Sequence, residues 1–245
     1  MVAKEFKTGN IIIMWEGSSS KGFRKKMFKD YKVNRSENKS PEEIQEKIEF
    51  NKEANEMYEK CLSLGFVGYS LEGYEADDLI AHYCNLHPDE EIIIVSNDED
   101  MYQCLVHDNV TIYNIDKKKK KNKKWFKEEY GIHPDLWAMV KSVGGCKSDG
   151  VPGVPGVAEK TAIKYLLGTS SKNINDKIAQ YSLEIKRNIG LVKIPMDRIK
   201  QEDFYFLNKK TNLNKKKFID LCFELDFRYF LDQITEFDIF CNGGK

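Results

Sequence analysis

Acidic residues gather at three short segments of this 245-residue chain. Glu16 follows the apolar run Ile11–Trp15; Glu75, Asp77 and Asp78 lie within Gly73-Tyr-Glu-Ala-Asp-Asp78; Asp98 and Asp100 lie within Ser96-Asn-Asp-Glu-Asp100. Carboxylates brought close together repel, and they stay ionised at neutral pH only if cations or water compensate them. A divalent metal is the natural compensation, and oxygen-only ligands select hard ions such as magnesium or manganese. The plainer reading of Glu75, Asp77 and Asp78 is that they favour a helix amino terminus. Three such motifs, each at the exit of an expected strand, favour the metal.

A second constellation is Asp149-Gly150-Val-Pro-Gly153-Val-Pro-Gly156-Val-Ala-Glu-Lys160-Thr-Ala162. Glycines ahead of a helix let backbone amides approach a ligand, and with the helix amino terminus and Lys160 they make an anion site suited to a phosphate backbone. Such a hairpin would hold a duplex without reading its sequence.

Charge is segregated as well. Glu72 to Asp100 holds ten acids and no Lys or Arg, whereas Lys21 to Arg35 holds seven basic residues against Asp30 alone. Seven lysines, broken by Asn122, fill Lys117 to Lys124. An anionic pocket with separate cationic segments can hold metal in one place and phosphates in another. For the lysine run, a solvated loop is the simpler reading.

The elements that must position these groups follow from the apolar pattern. Ile11–Trp15 reads as a strand buried on both faces. Ser40-Pro41-Glu42-Glu43 opens a helix, with Ser40 as cap, Pro41 at the first turn and Glu43 completing a capping box. Gly65 ends it. A strand at 66–70, a helix from about Glu75, a strand at 91–95, a short helix near 100–105 and a strand at 110–115 give an alternating pattern. The expectation is an α/β fold with a mostly parallel sheet flanked by helices, its ligands at the carboxyl ends of the strands. After about His133 the chain reads as helices joined by glycine-rich turns, so two regions are expected: 1–134, with an irregular basic stretch in its first half, and a helical 135–245. Residues 215–240 read as one or two amphipathic helices.

Net charge is zero, with 39 Lys+Arg against 39 Asp+Glu, and the chain is 41% hydrophobic. That supports a real core and excludes disorder throughout. The longest apolar run falls far short of the roughly 20 residues of a spanning helix, so no membrane is expected. No charged-then-apolar leader opens the sequence, so a cytoplasmic location is expected. Six scattered cysteines without a C-x-x-C pair fit a reducing compartment better than a disulfide or zinc scaffold.

Taken in order, these motifs resemble the structure-specific 5′-nucleases: bacteriophage 5′–3′ exonucleases, flap endonucleases and the 5′-nuclease domain of bacterial DNA polymerase I. Gly73–Asp78 is similar to the family's G-x-E-A-D-D. Ser96–Gln103 is similar to its strand-end D-x-D followed by an aromatic, and Gly145–Ala162 resembles its helix–three-turn–helix duplex clamp. Tyr31-Lys-Val-Asn-Arg35 looks like the Y-K-x-N-R at the base of its helical arch, here at about 17–62.

The resemblance implies a PIN-like core and hydrolysis of phosphodiester bonds in DNA with a 5′ end or 5′ flap. It also implies two Mg2+ or Mn2+ ions held by Glu16, Glu75, Asp77, Asp78, Asp98, Asp100 and Asp149. Lys32 and Arg35 would polarise the scissile phosphate. Arg24 and Tyr31 would contact DNA. Gly153, Gly156 and Lys160 would hold duplex, with a potassium ion at the hairpin. The Lys- and Asn-rich composition fits an AT-rich bacterial or phage genome.

Three departures stand out. The family's opening strand, which ends in a metal-binding Asp, has no counterpart in Met1–Asn10; an upstream segment or separate polypeptide is expected to supply it. The pattern G-D-x-x-D becomes Gly145-Cys-Lys-Ser-Asp149, a soft thiol replacing a carboxylate. Glu16 stands where Asp is usual. The alternatives are a catalytically impaired member that binds branched DNA without cleaving it, and a PIN-type ribonuclease, against which the hairpin speaks.

Overall fold

The computed structural model describes residues 5–35, 39–200 and 211–232. Two compact units organise them: 1–15, 38–69 and 204–245 in one, and 16–37 and 70–203 in the other. The expected arch segment is divided between the units, and residues 36–38 lie outside the description.

Strand β1 (Ile12–Glu16) pairs with β2 (Val67–Leu71) in a two-stranded sheet. Expected to be buried on both faces, β1 is instead half-buried along its length. A two-stranded ribbon cannot cover both faces of a strand, so its β-branched residues pack on one side only. Between β1 and β2 come α1 (Gly22–Met27), a 3-10 turn (Val33–Arg35) and the long α2 (Pro41–Leu64). The capping box of α2 forms as expected: Glu43 N donates to Ser40 Oγ (3.2 Å) and Ser40 N to Glu43 Oε2 (2.7 Å). In the first unit Trp15 stacks on Tyr58 of α2 and donates Nε1–H to Asn55 (2.8 Å).

The second unit carries α3 (Ala76–Leu86), β3 (Ile92–Val95), a 3-10 helix (Glu99–Val106), β4 (Val110–Asn114), β5 (Lys119–Lys121) and α4 (Lys123–Tyr130). β3 and β4 are parallel, and β5 runs antiparallel to β4. The lysine run, read as a solvated loop, is therefore an edge strand leading into α4. Its charges stay in water while the backbone is paired, as edge lysines do elsewhere. The expected single sheet is found, among the described residues, as two small ones.

A 3-10 turn (Pro134–Leu136) leads into α5 (Trp137–Gly144), followed by α6 (Glu159–Leu166), α7 (Lys172–Gln180) and α8 (Ser182–Val192). One apolar core runs from Ala81 to Ile178 and passes continuously across residues 134–135. At its centre Tyr102, Phe126, Tyr130 and Trp137 pack ring on ring, Trp137 donating Nε1–H to Glu99 O (2.9 Å). Helices α9 (Lys215–Glu224) and α10 (Arg228–Asp232) belong to the first unit; the rest of the expected carboxyl-terminal helices lies outside the described residues. No helix among the described residues is long and apolar enough to cross a membrane.

Candidate active site

Every site residue named above lies in the second unit. The chain leaving β1 meets the turn after β2: Gly17 N donates to Tyr74 O (3.2 Å) and Gly73 N to Ser18 O (2.8 Å). Gly73 takes φ +81°, and a Cβ there would sit 2.6 Å from the Phe23 ring, so this turn admits no side chain. The turn delivers Glu75 to the start of α3. From β3 the chain enters Ser96–Asp100, where Asp98 N donates to Ser96 Oγ and Asp98 Oδ1 caps Asp100 N (2.8 Å).

Three carboxylates here are matched by three cations. Arg24 grips Asp78 with both terminal nitrogens (Nη1–Oδ2 2.6 Å, Nη2–Oδ1 2.9 Å) and also donates to Glu75 Oε2 (3.0 Å). Lys32 Nζ donates to Glu75 Oε1 (2.6 Å) and lies 3.6 Å from Asp149 Oδ1. Arg35 Nη2 donates to Asp149 Oδ1 (2.8 Å). The Tyr31 hydroxyl bridges Glu75 Oε2 (2.8 Å) and Asp149 Oδ2 (3.1 Å). Lys32 is aimed by an unusual backbone, φ +57°, with its N–H on Asp149 O (2.7 Å).

Burial works to raise Glu75, but Lys32 and Arg24 outweigh it and hold its carboxyl below the ordinary range. Burial likewise works to lower Lys32, and Glu75 and Asp149 outweigh it, so its ammonium is held on more tightly than usual. Burial pushes Tyr31 far up, so its hydroxyl remains a donor.

Asp77, Asp98 and Asp100 are different. Among the described residues no Lys or Arg forms an ion pair with any of them. Burial, then the charge of Asp98, pushes Asp77 up to about 7 and Asp100 up to about 6. This is a donor set of hard oxygens whose charge the protein leaves uncompensated, and it fits a divalent cation.

The neighbouring donors fit less well. Asp100, Cys146 and Asp149 bring ligand atoms within 4.8 Å of one another. Burial, then the charge of Asp100, raises the Cys146 thiol to about 11. The protonated Sγ sits 3.8 Å from Asp100 Oδ2 and 3.1 Å from Ser148 Oγ, as a weak hydrogen-bonding group rather than an anionic ligand.

Several expectations change. Asp78, expected as a metal ligand, has all its lone-pair directions taken: besides Arg24, Met196 N donates to Oδ1 (2.9 Å) and Glu75 N to Oδ2 (3.3 Å). Arg24, expected on DNA, is 2% exposed, and its remaining N–H groups reach Leu191 O and Lys193 O. Tyr31, also expected on DNA, is 1% exposed. Both faced inward because buried carboxylates need donors more than a surface does. Glu16 ends β1 exposed, accepting from Ser20 Oγ (3.2 Å). The anchoring by Met196, Leu191 and Gln103, whose side chain bonds Val192 O and Ile194 N, went unread in the sequence. Only the glutamine of Ser96–Gln103 hinted at it.

The stretch between α5 and α6 buries Val151, Val154 and Val157 and leaves Pro152, Pro155 and Gly156 exposed, a three-residue rhythm. A Cβ on Gly153 would lie 2.3 Å from the Gly144 carbonyl carbon, so the turn is pressed against the end of α5. Lys160, in the first turn of α6, is exposed.

Strand-exit carboxylates on an α/β frame, interleaved with basic side chains, are the architecture of enzymes that act on phosphodiesters. Residues 1–131 match the family model for the 5′-3′ exonuclease N-terminal, resolvase-like domain. The chain is 34% identical over 204 residues to the 5′-3′ exonuclease of Buchnera aphidicola subsp. Schizaphis graminum, covering 82% of this chain and 68% of that one. It is 34% identical to the 5′-3′ exonuclease of Bacillus subtilis strain 168, over 66% of this chain and about half (53%) of that relative's length. A bacteriophage T5 flap endonuclease, solved as a pseudo-enzyme-product complex with DNA and metal ions, shares the fold with a TM-score of 0.69 at 20% identity, covering 79% and 77% of the two chains. The chain belongs to the 5′-3′ exonuclease family.

Proposed function

We propose that this chain hydrolyses phosphodiester bonds of DNA at a 5′ end or 5′ flap with the help of a divalent cation, Mg2+ or Mn2+. The observation that carries the reading is the trio Asp77, Asp98 and Asp100, left without cation partners beside Lys32 and Arg35. These three carboxylates would hold the cation, with Glu16 at the end of β1 free to join them. When bound, such an ion activates water and offsets charge on the phosphoryl oxygens. Lys32 and Arg35 are the catalytic residues of the reading. Their nitrogens already point at carboxylate oxygens, and a phosphate of the same charge and donor demand can take over those bonds. In the reaction one P–O bond forms to water and the P–O bond to the leaving nucleotide breaks.

Duplex next to the cleaved end would rest on the hairpin: the exposed Gly156, the Gly153 turn and Lys160 present amides and a charge without base contacts. A potassium ion there would be consistent with that backbone-rich surface. The name of the T5 relative, a complex with DNA and metal ions, supports both partners.

A second reading, a member that binds branched DNA without cleaving it, is favoured by Cys146 and by the pairing of Glu75 and Asp149. The full chain incubated with a 5′-labelled flap DNA and Mg2+ or Mn2+ separates them. Shortened labelled product supports hydrolysis; a gel shift with intact label supports the second reading. Preference for the equivalent RNA strand would sink both.

A further inference from the structure

The carboxylates of this site divide into two sets that electrostatics treats differently. Glu75, Asp78 and Asp149 face Arg24, Lys32 and Arg35, three charges against three, with the Tyr31 hydroxyl linking Glu75 to Asp149. Asp77, Asp98 and Asp100 face no such partner among the described residues. We infer that this chain takes up one divalent cation at Asp77, Asp98 and Asp100, and that Lys32 and Arg35 themselves fill the neighbouring cation position at Glu75 and Asp149.

The inference rests on the metal-dependent reading above and departs from the two ions that the family resemblance implies. Three observations carry it. Both oxygens of Asp149 are engaged, Oδ1 by Arg35 (2.8 Å) and Oδ2 by Tyr31 (3.1 Å), and both oxygens of Glu75 by Lys32, Arg24 and Tyr31. A second ion would have to break charge-assisted bonds that are short and buried. Cys146 occupies the place of a further carboxylate with a thiol, a poor partner for a hard ion. Finally, the fixed cations repel: two like charges a few ångströms apart cost about 4 kcal/mol at 4 Å even with an effective dielectric near 20. The lattice is closed from behind, because Arg24 is tied to Leu191 O (2.8 Å) and Asp78 to Met196 N (2.9 Å), so Glu75 cannot swing away from its cations at little cost.

Manganese titrated into the full, DNA-free chain, with free Mn2+ followed by electron paramagnetic resonance, tests this. The expected result is one ion per chain. Two ions of comparable affinity would overturn the inference while leaving nuclease action on flap DNA untouched, and no bound ion would overturn it as well. Cleavage is scored separately on the flap substrate, so loss of activity with one tight ion bound speaks against the functional reading alone. In the variant Arg35→Met, and more so in Lys32→Met with Arg35→Met, a second ion should bind at least about tenfold more tightly than in the parent. Arg35 is half-exposed, so its single variant keeps the test alive if the buried lysine proves necessary for folding. Unchanged stoichiometry in a folded variant would refute the substitution of protein cations for metal.

Discussion

At the scale of single residues, the site is decided by which carboxylates have a cation already. Asp100 does not, and its burial beside Asp98 disfavours the ionised form. Asp100→Asn should therefore raise the melting temperature of the EDTA-treated protein above neutral pH while removing Mn2+ uptake, both measured by thermal shift with and without metal. Arg24 is the opposite case. It is a positioning residue that holds Asp78 and Glu75 in place from behind. Arg24→Met strands two buried carboxylates, which should cost about 3–5 kcal/mol in urea unfolding, as breaking a buried pair does. The double change Arg24→Met with Asp78→Leu should recover part of that, because neither charge is then left alone. Lys32→Ala should lower the rate of cleavage by about 10²-fold with little change in duplex binding, the pattern of a lost transition-state contact.

At the scale of elements, local signals in the chain proved a good guide and long-range ones did not. Ser40, Pro41 and Glu43 announce α2 because a capping box is built from neighbours, and the helix opens at Pro41. The acidic segments do lie at the exits of β1, β2 and β3, since strand ends and helix starts follow from apolar runs and their boundaries. What could not be read is partner choice. That Arg24 would turn inward to Asp78 depends on α8, more than 160 residues away, coming to rest against α1 and offering Leu191 O. β1 likewise looked doubly buried because a run of isoleucines says how apolar a strand is, not how many neighbours it has. The spacing of Val151, Val154 and Val157 could have been read as a period of three, and it fixes the hairpin to the core. Gly153→Ala forces a Cβ into the Gly144 backbone, so it should lower the melting temperature and weaken duplex binding together. A fluorescence anisotropy titration with duplex DNA alongside a thermal melt checks it.

At the scale of the whole molecule, zero net charge conceals a division of labour between an acidic pocket and basic segments. DNA affinity should therefore fall steeply with salt. Lys160→Ala should weaken binding evenly across sequences and reduce the slope of log affinity against log salt by about one, the signature of one lost phosphate contact. Trp137 adds a practical consequence. Its indole N–H is bonded to Glu99 O, between Asp98 and Asp100 in the chain, while its ring stands in the aromatic cluster at the centre of the core. Any ligand that pulls on those two aspartates tugs a natural fluorophore, so occupancy should register as a change in emission that Trp137→Phe abolishes and Trp15, stacked on Tyr58, does not share. The protein thus carries its own optical gauge of ion loading, readable without a label.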